Sequence, residues 1–135
     1  MFWIIFRLGW KKLTALKPIV ILTGPTASGK TRLALDIAER IQGTIINADS
    51  IQIYNELKIL SSRPTIEQQL RVSHQLYGIL SVHEKFSVGR WLSLAKPVIE
   101  KSWESQKIPL FTGGTGLYIK VLLEGISAIP DIPSN

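Results

Sequence analysis

The sequence predicts an α/β domain of three layers built around a parallel sheet. Strand-like apolar runs alternate with amphipathic helical stretches, an order that gives β-α-β units with right-handed crossovers. A glycine-containing loop joins the first apolar run to the first helical stretch, as is common in α/β domains that bind phosphates. The length of 135 residues leaves room for one core, and an apolar fraction of 45% is enough to fill it.

The first β-α-β unit is the clearest. Ile19–Leu22 is an uninterrupted apolar run, which suits a parallel strand buried on both faces. An amphipathic helix follows the loop, and Gly43 stands where its C-terminal cap is expected. Ile45 and Ile46 then predict a second strand. The apolar positions of the helix recur at helical spacing and are Leu33, Ala34, Ile37, Ala38 and Ile41.

The rest of the chain continues the alternation. Thr65 and Gln68 form a capping-box pattern that begins a short helix, and Leu76–Leu80 is a candidate strand. A longer helix begins near Ser87, and Pro97 inside it predicts a kink. The last three elements are expected to be a strand over Ile108–Phe111, a helix over Thr115–Leu123 and a stop at Gly125. The apolar face of the longer helix includes Trp91 and Trp103, which we expect in the core.

Composition bounds the class of protein. Sixteen basic and ten acidic residues give a net charge of +6 and an isoelectric point near 9.8, which favours phosphates or nucleic acid as partners. The absence of cysteine excludes disulfides, cysteine-ligated zinc and thiol catalysis, and it fits a reducing compartment. No apolar run approaches the roughly 18 residues of a membrane helix. We therefore expect a cytoplasmic monomer without a membrane partner.

The ends of the chain differ from its middle. Residues 1–17 carry four positive charges after a short apolar run, the reverse of a secretory signal, and we interpret them as an extension. A mitochondrial transit peptide or a membrane-surface anchor is the alternative. The domain is then expected over residues 18–127, and residues 128–135 form an exit segment.

A phosphate-binding loop follows the first strand. The residues are Gly24-Pro25-Thr26-Ala27-Ser28-Gly29-Lys30-Thr31, which match the G-x-x-x-x-G-K-[ST] spacing in full. Backbone amides and the helix N-terminus would cradle phosphates, Lys30 would reach the terminal phosphates, and the Thr31 hydroxyl would ligate Mg²⁺. A P-loop NTPase-like fold follows. The alternative is a chance glycine-rich turn.

The second strand is followed by a carboxylate, Asp49. At the carboxyl end of a sheet strand it would face the crevice in which α/β proteins bind ligands, as a metal partner or a proton acceptor. An N-cap for the segment Ser50–Tyr54 is the alternative. The strand Ile108–Phe111 is followed by Thr112 and not by the acid that many phosphoryl-transferring enzymes place there.

Five blocks in order along the chain resemble the tRNA dimethylallyltransferase family: the phosphate loop, Ala48–Tyr54, Ser62–Thr65, His74 and Ile108–Lys120. The resemblance runs from about Pro18 to Pro133. It implies transfer of a dimethylallyl group from dimethylallyl diphosphate to N6 of an adenosine beside the tRNA anticodon. The phosphate loop would then hold a leaving group.

The resemblance also assigns residues. Lys30, Mg²⁺ on Thr31 and the loop amides would neutralise the departing diphosphate, and Asp49 would accept the proton of the amine. Thr115 matches the family residue beside the flipped base and the diphosphate. The positions that match tRNA contacts are Asp49, Ser50, Ile51, Gln52, Arg63 and Thr115.

The chain departs from the family pattern at several places. Arg63 stands where a lysine is usual, so a lone surface arginine is the alternative there. His74 and His83 are expected to be structural or solvent-facing. Family members are roughly twice as long and supply a later arginine to the diphosphate, so this chain resembles their N-terminal portion. A small ATP-dependent kinase or NTPase, or an inactive fragment of the transferase, remains an alternative function.

Overall fold

The computed structural model describes residues 3–9, 17–24, 29–50, 52–54, 64–81, 83–84, 87–114 and 116–127. Within these ranges, five strands form one sheet: β1 (Trp3–Gly9), β2 (Lys17–Thr23), β3 (Gly43–Asn47), β4 (His74–Gln75) and β5 (Ile108–Gly113). The same ranges contain four helices, which are α1 (Lys30–Ile41), α2 (Ile66–Arg71), α3 (Val88–Glu104) and α4 (Gly116–Ser127). The strand order is β1-β2-β5-β3-β4.

The predicted α/β class with a parallel sheet is confirmed. Strands β2, β5, β3 and β4 run parallel, and β5 is central, pairing with β2 through Phe111 and Ile21 and with β3 through Phe111 and Ile46. One face of the sheet packs on α3 and α4, and the other packs mainly on α1. The apolar runs noted in the sequence are therefore buried on both faces, which gives the three layers.

Strand β1 was not predicted. Residues 3–9 pair antiparallel with β2, from Trp3 opposite Thr23 to Gly9 opposite Lys17, and form one edge of the sheet. The four positive charges of residues 1–17 favour an extension outside the domain, whereas residues 3–9 belong to the sheet. The β-branched and aromatic run Trp3–Phe6 has high strand propensity and was the signal that was missed. The sheet thus extends beyond the boundary that was expected near Pro18.

The end of α1 differs in detail from the prediction. Gln42, with φ of 54°, adopts the left-handed conformation, and its backbone N–H donates to the carbonyl of Ala38. Gly43, predicted as the cap, is already the first residue of β3. The helix therefore ends one residue earlier than a glycine cap would require, and Gln42 takes the conformation that glycine usually supplies.

The segment around α2 and β4 is partly as predicted. The capping box is present: Thr65 Oγ1 accepts from the Gln68 backbone N–H at 3.2 Å, and the Thr65 N–H donates to Gln68 Oε1 at 2.9 Å. The strand expected over Leu76–Leu80 is wrong, because β4 is only His74–Gln75. Positive φ values at Leu76 (65°) and Gly78 (59°) turn the chain away from the sheet directly afterwards.

The last two helices are close to expectation. Ser87 caps α3 by accepting from the Arg90 N–H, Trp91 is fully buried, and Trp103 packs against the same core, as predicted. Pro97 lies inside α3 on its exposed side, and the kink stays a prediction. The stop expected at Gly125 is wrong, because α4 continues to Ser127. An interior glycine costs a helix only about 1 kcal/mol, which the surrounding helix tolerates.

Two expectations concern residues outside the described ranges, namely the start of the last helix at Thr115 and the exit segment 128–135. Among the described helices, none is both long enough and apolar enough to cross a membrane.

Candidate active site

The site is built where three parallel strands end. Thr23 of β2 is paired with Gly113 of β5, and Asn47 of β3 is paired with Thr112 of β5. Because parallel strands end at the same edge, the loops that follow them converge there. The described ends of the phosphate loop, the segment that carries Asp49 and the two glycines at the end of β5, Gly113 and Gly114, therefore lie side by side.

The phosphate loop is described at its two ends, Gly24 and Gly29–Thr31, whereas Pro25–Ser28 lie outside the described residues. Gly29 is the N-cap of α1 and has a φ of 81°, which is accessible to glycine and costly for other residues. Lys30 is the first residue of α1, and its Nζ donates to the Gly24 carbonyl at 2.8 Å. The ammonium group therefore contacts the first residue of the loop and is only partly exposed to solvent.

The charge of Asp49 acts on Lys30. Burial lowers the pKa of Lys30 below its ordinary value of 10.5, and the negative charge of Asp49 opposes that shift. Both side chains are half-buried, so water screens their attraction only in part. The cation predicted to hold phosphate and the carboxylate predicted to accept a proton therefore share one site.

Asp49 lies two residues beyond β3. Gln52 Nε2 donates to Asp49 Oδ2 at 3.4 Å, so a second residue of the same segment contacts the carboxylate. The described residues of this segment, 50 and 52–54, form turns and a single bridge and not a helix. The N-cap role of Asp49 for the segment Ser50–Tyr54 stays a prediction, because Ile51 lies outside the described residues.

Two glycines, Gly113 as the last residue of β5 and Gly114 directly after it, lie against the site. A methyl group on Gly113 would stand 2.4 Å from the carbonyl carbon and oxygen of Ala48 and 2.8 Å from the Asp49 nitrogen. A methyl group on Gly114 would lie 3.6 Å from the Gly24 carbonyl and 3.7 Å from Lys30 Nζ. The close approach to Asp49 therefore requires glycine at position 113, whereas a methyl group at position 114 would make only ordinary contacts with Gly24 and Lys30. Thr115, the next residue, lies outside the described ranges.

Asn47 is a site residue that sequence reasoning missed. Its fully buried side chain donates through Nδ2 to the carbonyls of Asp49 (2.9 Å) and Leu76 (3.0 Å), and its Oδ1 accepts from the Asp49 N–H at 2.8 Å. The signal was available, because an asparagine that bonds the backbone two residues later is a common turn former. The spacing Asn47-x-Asp49 fits that pattern.

Aromatic side chains pack beneath the site. The Trp91 ring stacks on Tyr118 with centroids 4.8 Å apart and meets Phe111 edge-on at 5.9 Å. Trp91 Nε1 donates to the Asn47 carbonyl at 2.8 Å. The pKa of Tyr118 is raised by burial and then by the charges of Tyr54 and Asp49. This layer supports the end of β3 from below.

Magnesium was predicted on Thr31. No group of three or more carboxylate or histidine side chains that could hold a metal occurs among the described residues. Thr31 is half-buried in the first turn of α1 next to Lys30, and a hydroxyl is a hard oxygen donor of the kind Mg²⁺ binds. Its side chain therefore suits a magnesium ion that takes its other ligands from phosphates and water.

The remaining predicted residues are two that lie beside Asp49, two that lie outside the described ranges, and the two histidines. Ser50 and Gln52 are half-buried on the segment that carries Asp49. Ile51 and Arg63 lie outside the described residues. His83 is exposed, and His74 is half-buried with Nδ1 2.7 Å from the Val72 carbonyl, which agrees with the structural or solvent-facing roles that were predicted.

Comparison with known proteins bears on this site. The family model "IPP transferase" matches residues 52–135, and the model "Isopentenyl transferase" matches residues 17–81. The chain belongs to the IPP transferase family. A tRNA dimethylallyltransferase of Pelagibacter ubique is 50% identical over 115 residues, which are 85% of this chain and 37% of that protein. One of Methylocella silvestris is 48% identical over 124 residues, 92% of this chain and 40% of that protein.

Solved structures of the family share the fold. The full-length tRNA isopentenylpyrophosphate transferase of Bacillus halodurans superposes with a TM-score of 0.74 at 36% identity, over 85% of this chain and 37% of that one. A eukaryotic dimethylallyltransferase described as acting on tRNA gives a TM-score of 0.71 at 27% identity, over 76% of this chain and 25% of that one. The chain thus spans about two fifths or less of the relatives it matches, and the resemblance noted in the sequence is confirmed.

Proposed function

We propose that this chain carries the donor-binding and proton-accepting part of a tRNA dimethylallyltransferase. The reaction moves a dimethylallyl group from dimethylallyl diphosphate to N6 of the adenosine beside the anticodon. The observation that carries the proposal is that the side chains of Lys30 and Asp49 lie in the same site. Each follows the end of a different parallel strand, and they interact at the phosphate loop of a chain from this family.

Binding of the donor rests on Lys30 and the loop. A half-buried ammonium at the N-terminus of α1, beside the amides of the loop, suits a diphosphate better than an exposed lysine would. When the allylic C–O bond breaks, its electron pair stays on the diphosphate, and Lys30 neutralises part of that charge. A magnesium ion held by the Thr31 hydroxyl would supply further neutralisation.

Asp49 acts on the second reactant, the adenosine of the tRNA. The exocyclic amine of adenine becomes a competent nucleophile only as its proton leaves, and a half-buried carboxylate beside the donor site can accept that proton. The balance is one C–O bond broken, one N–C bond formed, diphosphate released and one proton transferred to Asp49. The target base must leave the anticodon-loop stack to reach this depth.

The tRNA side of the proposal uses residues around Asp49. Ser50 and Gln52 lie on the same segment, and Ile51, Arg63 and Thr115 are expected to complete the contact with RNA. A net charge of +6 suits a polyanionic substrate. The proposal includes a cytoplasmic monomer, in keeping with the absence of cysteine.

A kinase or NTPase and an inactive fragment of the transferase are the competing functions, and each predicts a different property. A kinase or NTPase on this architecture is expected to carry a carboxylate directly after the central strand, where this chain has Thr112 and Gly113 at the end of β5. A prenyl donor needs no such residue. An inactive fragment would bind diphosphate without transferring the prenyl group, so direct measurement of transfer separates it from the enzyme.

The test is label transfer from dimethylallyl diphosphate to tRNA in the presence of Mg²⁺. We expect the chain to incorporate label into tRNA. The rate of transfer should fall about 10²–10⁴-fold in Asp49→Asn, which keeps the shape of the side chain and removes the proton acceptor. Asp36→Asn, a matched change at an exposed position on α1, should leave transfer unchanged. Full activity in Asp49→Asn would contradict the proton-accepting role, and ATP hydrolysis lost in Lys30→Ala would favour the NTPase.

A further inference from the structure

One buried side chain satisfies both backbone polar groups of Asp49. The Asn47 amide oxygen accepts from the Asp49 N–H at 2.8 Å, and the Asn47 amide nitrogen donates to the Asp49 carbonyl at 2.9 Å. A side-chain amide that bonds both groups of one residue restrains that residue in two directions. Most turn-forming asparagines make only the first of these bonds.

Asn47 is itself fixed on two further sides. Its amide nitrogen also donates to the Leu76 carbonyl at 3.0 Å, in the turn that follows β4, and its own carbonyl accepts from the Trp91 indole at 2.8 Å. The residue is fully buried. Because the turn after β4 and helix α3 both hold Asn47, its side chain is a rigid support and not a mobile one.

The opposite side of the segment is also held. The Ala48 N–H donates to the Thr112 carbonyl at 2.9 Å, and the Gly113 backbone lies against Ala48 and Asp49. With its backbone held on both sides, Asp49 retains only its two side-chain torsions. Gln52 Nε2, 3.4 Å from Oδ2, restrains these in turn.

We infer that Asn47 is a positioning residue of the transferase, which holds Asp49 at the place where the amine proton is taken. The inference rests on the proposed function for its chemical meaning, whereas the backbone restraint itself rests only on the hydrogen bonds. A proton acceptor must lie within hydrogen-bond reach of its donor, and a displacement of about 1 Å can reduce a rate about 10²-fold. Asn47 does not touch the reactants, so it acts through Asp49.

Three variants separate positioning from general support of the core. Asn47→Ala removes all three side-chain bonds, whereas Asn47→Ser keeps a hydroxyl that can still bond the N–H two residues later. Ser102→Ala is the control, because it removes a buried side-chain hydrogen bond, to the Val98 carbonyl at 2.8 Å, about three turns beyond Trp91 along α3. We expect kcat to fall about 10- to 100-fold in Asn47→Ala, less in Asn47→Ser and at most about threefold in Ser102→Ala.

The Michaelis constant for the donor adds a second criterion. The phosphate loop is untouched by these changes, so KM for dimethylallyl diphosphate should stay within about threefold of wild type. In an Asp49→Ala background, Asn47→Ala should lower kcat no further, because the residue it positions is gone. An equal fall of kcat in Ser102→Ala, or a full additional fall in the double variant, would overturn the inference.

Amide hydrogen exchange tests the restraint without any need for activity. The Asp49 N–H bonds to Asn47, whereas the neighbouring Ala48 N–H bonds to Thr112 and serves as an internal reference. In Asn47→Ala, exchange at Asp49 should accelerate about tenfold or more while exchange at Ala48 changes little. Equal changes at both amides, or failure of both Asn47 variants to fold, would overturn the positioning role.

The two proposals can therefore fail separately. If the chain transfers no label, the proposed function fails, and the exchange measurement still decides whether Asn47 restrains Asp49. If Asp49→Asn is inactive and Asn47→Ala is fully active with unchanged exchange, the proposed function stands and the positioning role is refuted.

Discussion

Replacing Gly113 with alanine should damage the candidate site and the sheet together. The added methyl group would stand 2.4 Å from both the carbonyl carbon and the oxygen of Ala48, and 2.8 Å from the Asp49 nitrogen. All three are backbone atoms, so no flexible side chain can move aside. Because ordinary contact begins near 3.4 Å, the ends of β3 and β5 must separate by about 1 Å.

The size of the effect follows from that separation. Forcing an extra carbon into a packed region costs about 1–3 kcal/mol. The unfolding entropy of a chain of 135 residues is about 0.28 kcal/mol per kelvin, so the melting temperature should fall by about 4–11 °C. A shift of about 1 Å at Asp49 should also lower transfer about 10²-fold if that residue accepts the proton.

Thermal unfolding followed by circular dichroism measures the first effect, and label transfer to tRNA measures the second. Gly89→Ala is the control, since it makes the same chemical change in the first turn of α3, where a methyl group would be 3.9 Å from the nearest atom, Ser87 Oγ. That variant should be as stable as wild type or more stable by up to about 1 kcal/mol. Equal melting temperatures for Gly113→Ala and wild type would refute the close approach of the two strand ends.

Two further predictions concern pH. If protonated Lys30 binds the diphosphate, as we propose, donor affinity should decline as pH rises, and because burial lowers the pKa of Lys30 the decline should begin below pH 10.5. Lys30→Arg should bind the donor with little change between pH 8 and 10.5. A parallel decline in the arginine variant, measured by calorimetry, would contradict this assignment. Burial also lowers the pKa of His74 below 6.5, so the unfolded chain takes up the proton first and stability should be lost as pH falls below 6.5. Between pH 7.5 and 5.5, the free energy of unfolding measured in urea should fall less in His74→Gln than in wild type. His83→Gln, a change at an exposed position, should lose as much as wild type does.

Most of the fold could be predicted from the sequence because it depends on apolar periodicity. The strands that contain Ile21, Ile46 and Phe111 are buried on both faces, and such strands show as uninterrupted apolar runs. Strand β1 was missed because the positive charges that follow the apolar run Trp3–Phe6 favoured an extension outside the domain. The strand expected at Leu76–Leu80 failed because the positive φ of Leu76 is fixed by tertiary contacts, which no local pattern contains.

The site residues that belong to a motif of fixed spacing, or that directly follow a strand, could be predicted from the sequence. The phosphate-loop pattern located Lys30, and the position after a strand located Asp49, which the structure brings together with Gly24 and Gly114. The role of Asn47 was harder to foresee, because two of its partners, Leu76 and Trp91, are 29 and 44 residues away in the chain. Long-range hydrogen bonds of this kind leave no periodic trace in the sequence.

The place of β5 in the sheet bears on how the polypeptide is made. It lies between β2 and β3, so these two earlier strands have no pairing with each other in the finished sheet. During synthesis these two strands can be joined into one sheet only after residues 108–113 have left the ribosome. Helix α4 follows β5 in the chain and supplies Tyr118, Ile119 and Leu122 to the same core, so a nascent chain fills its interior only after it has brought the strand ends of its candidate site together.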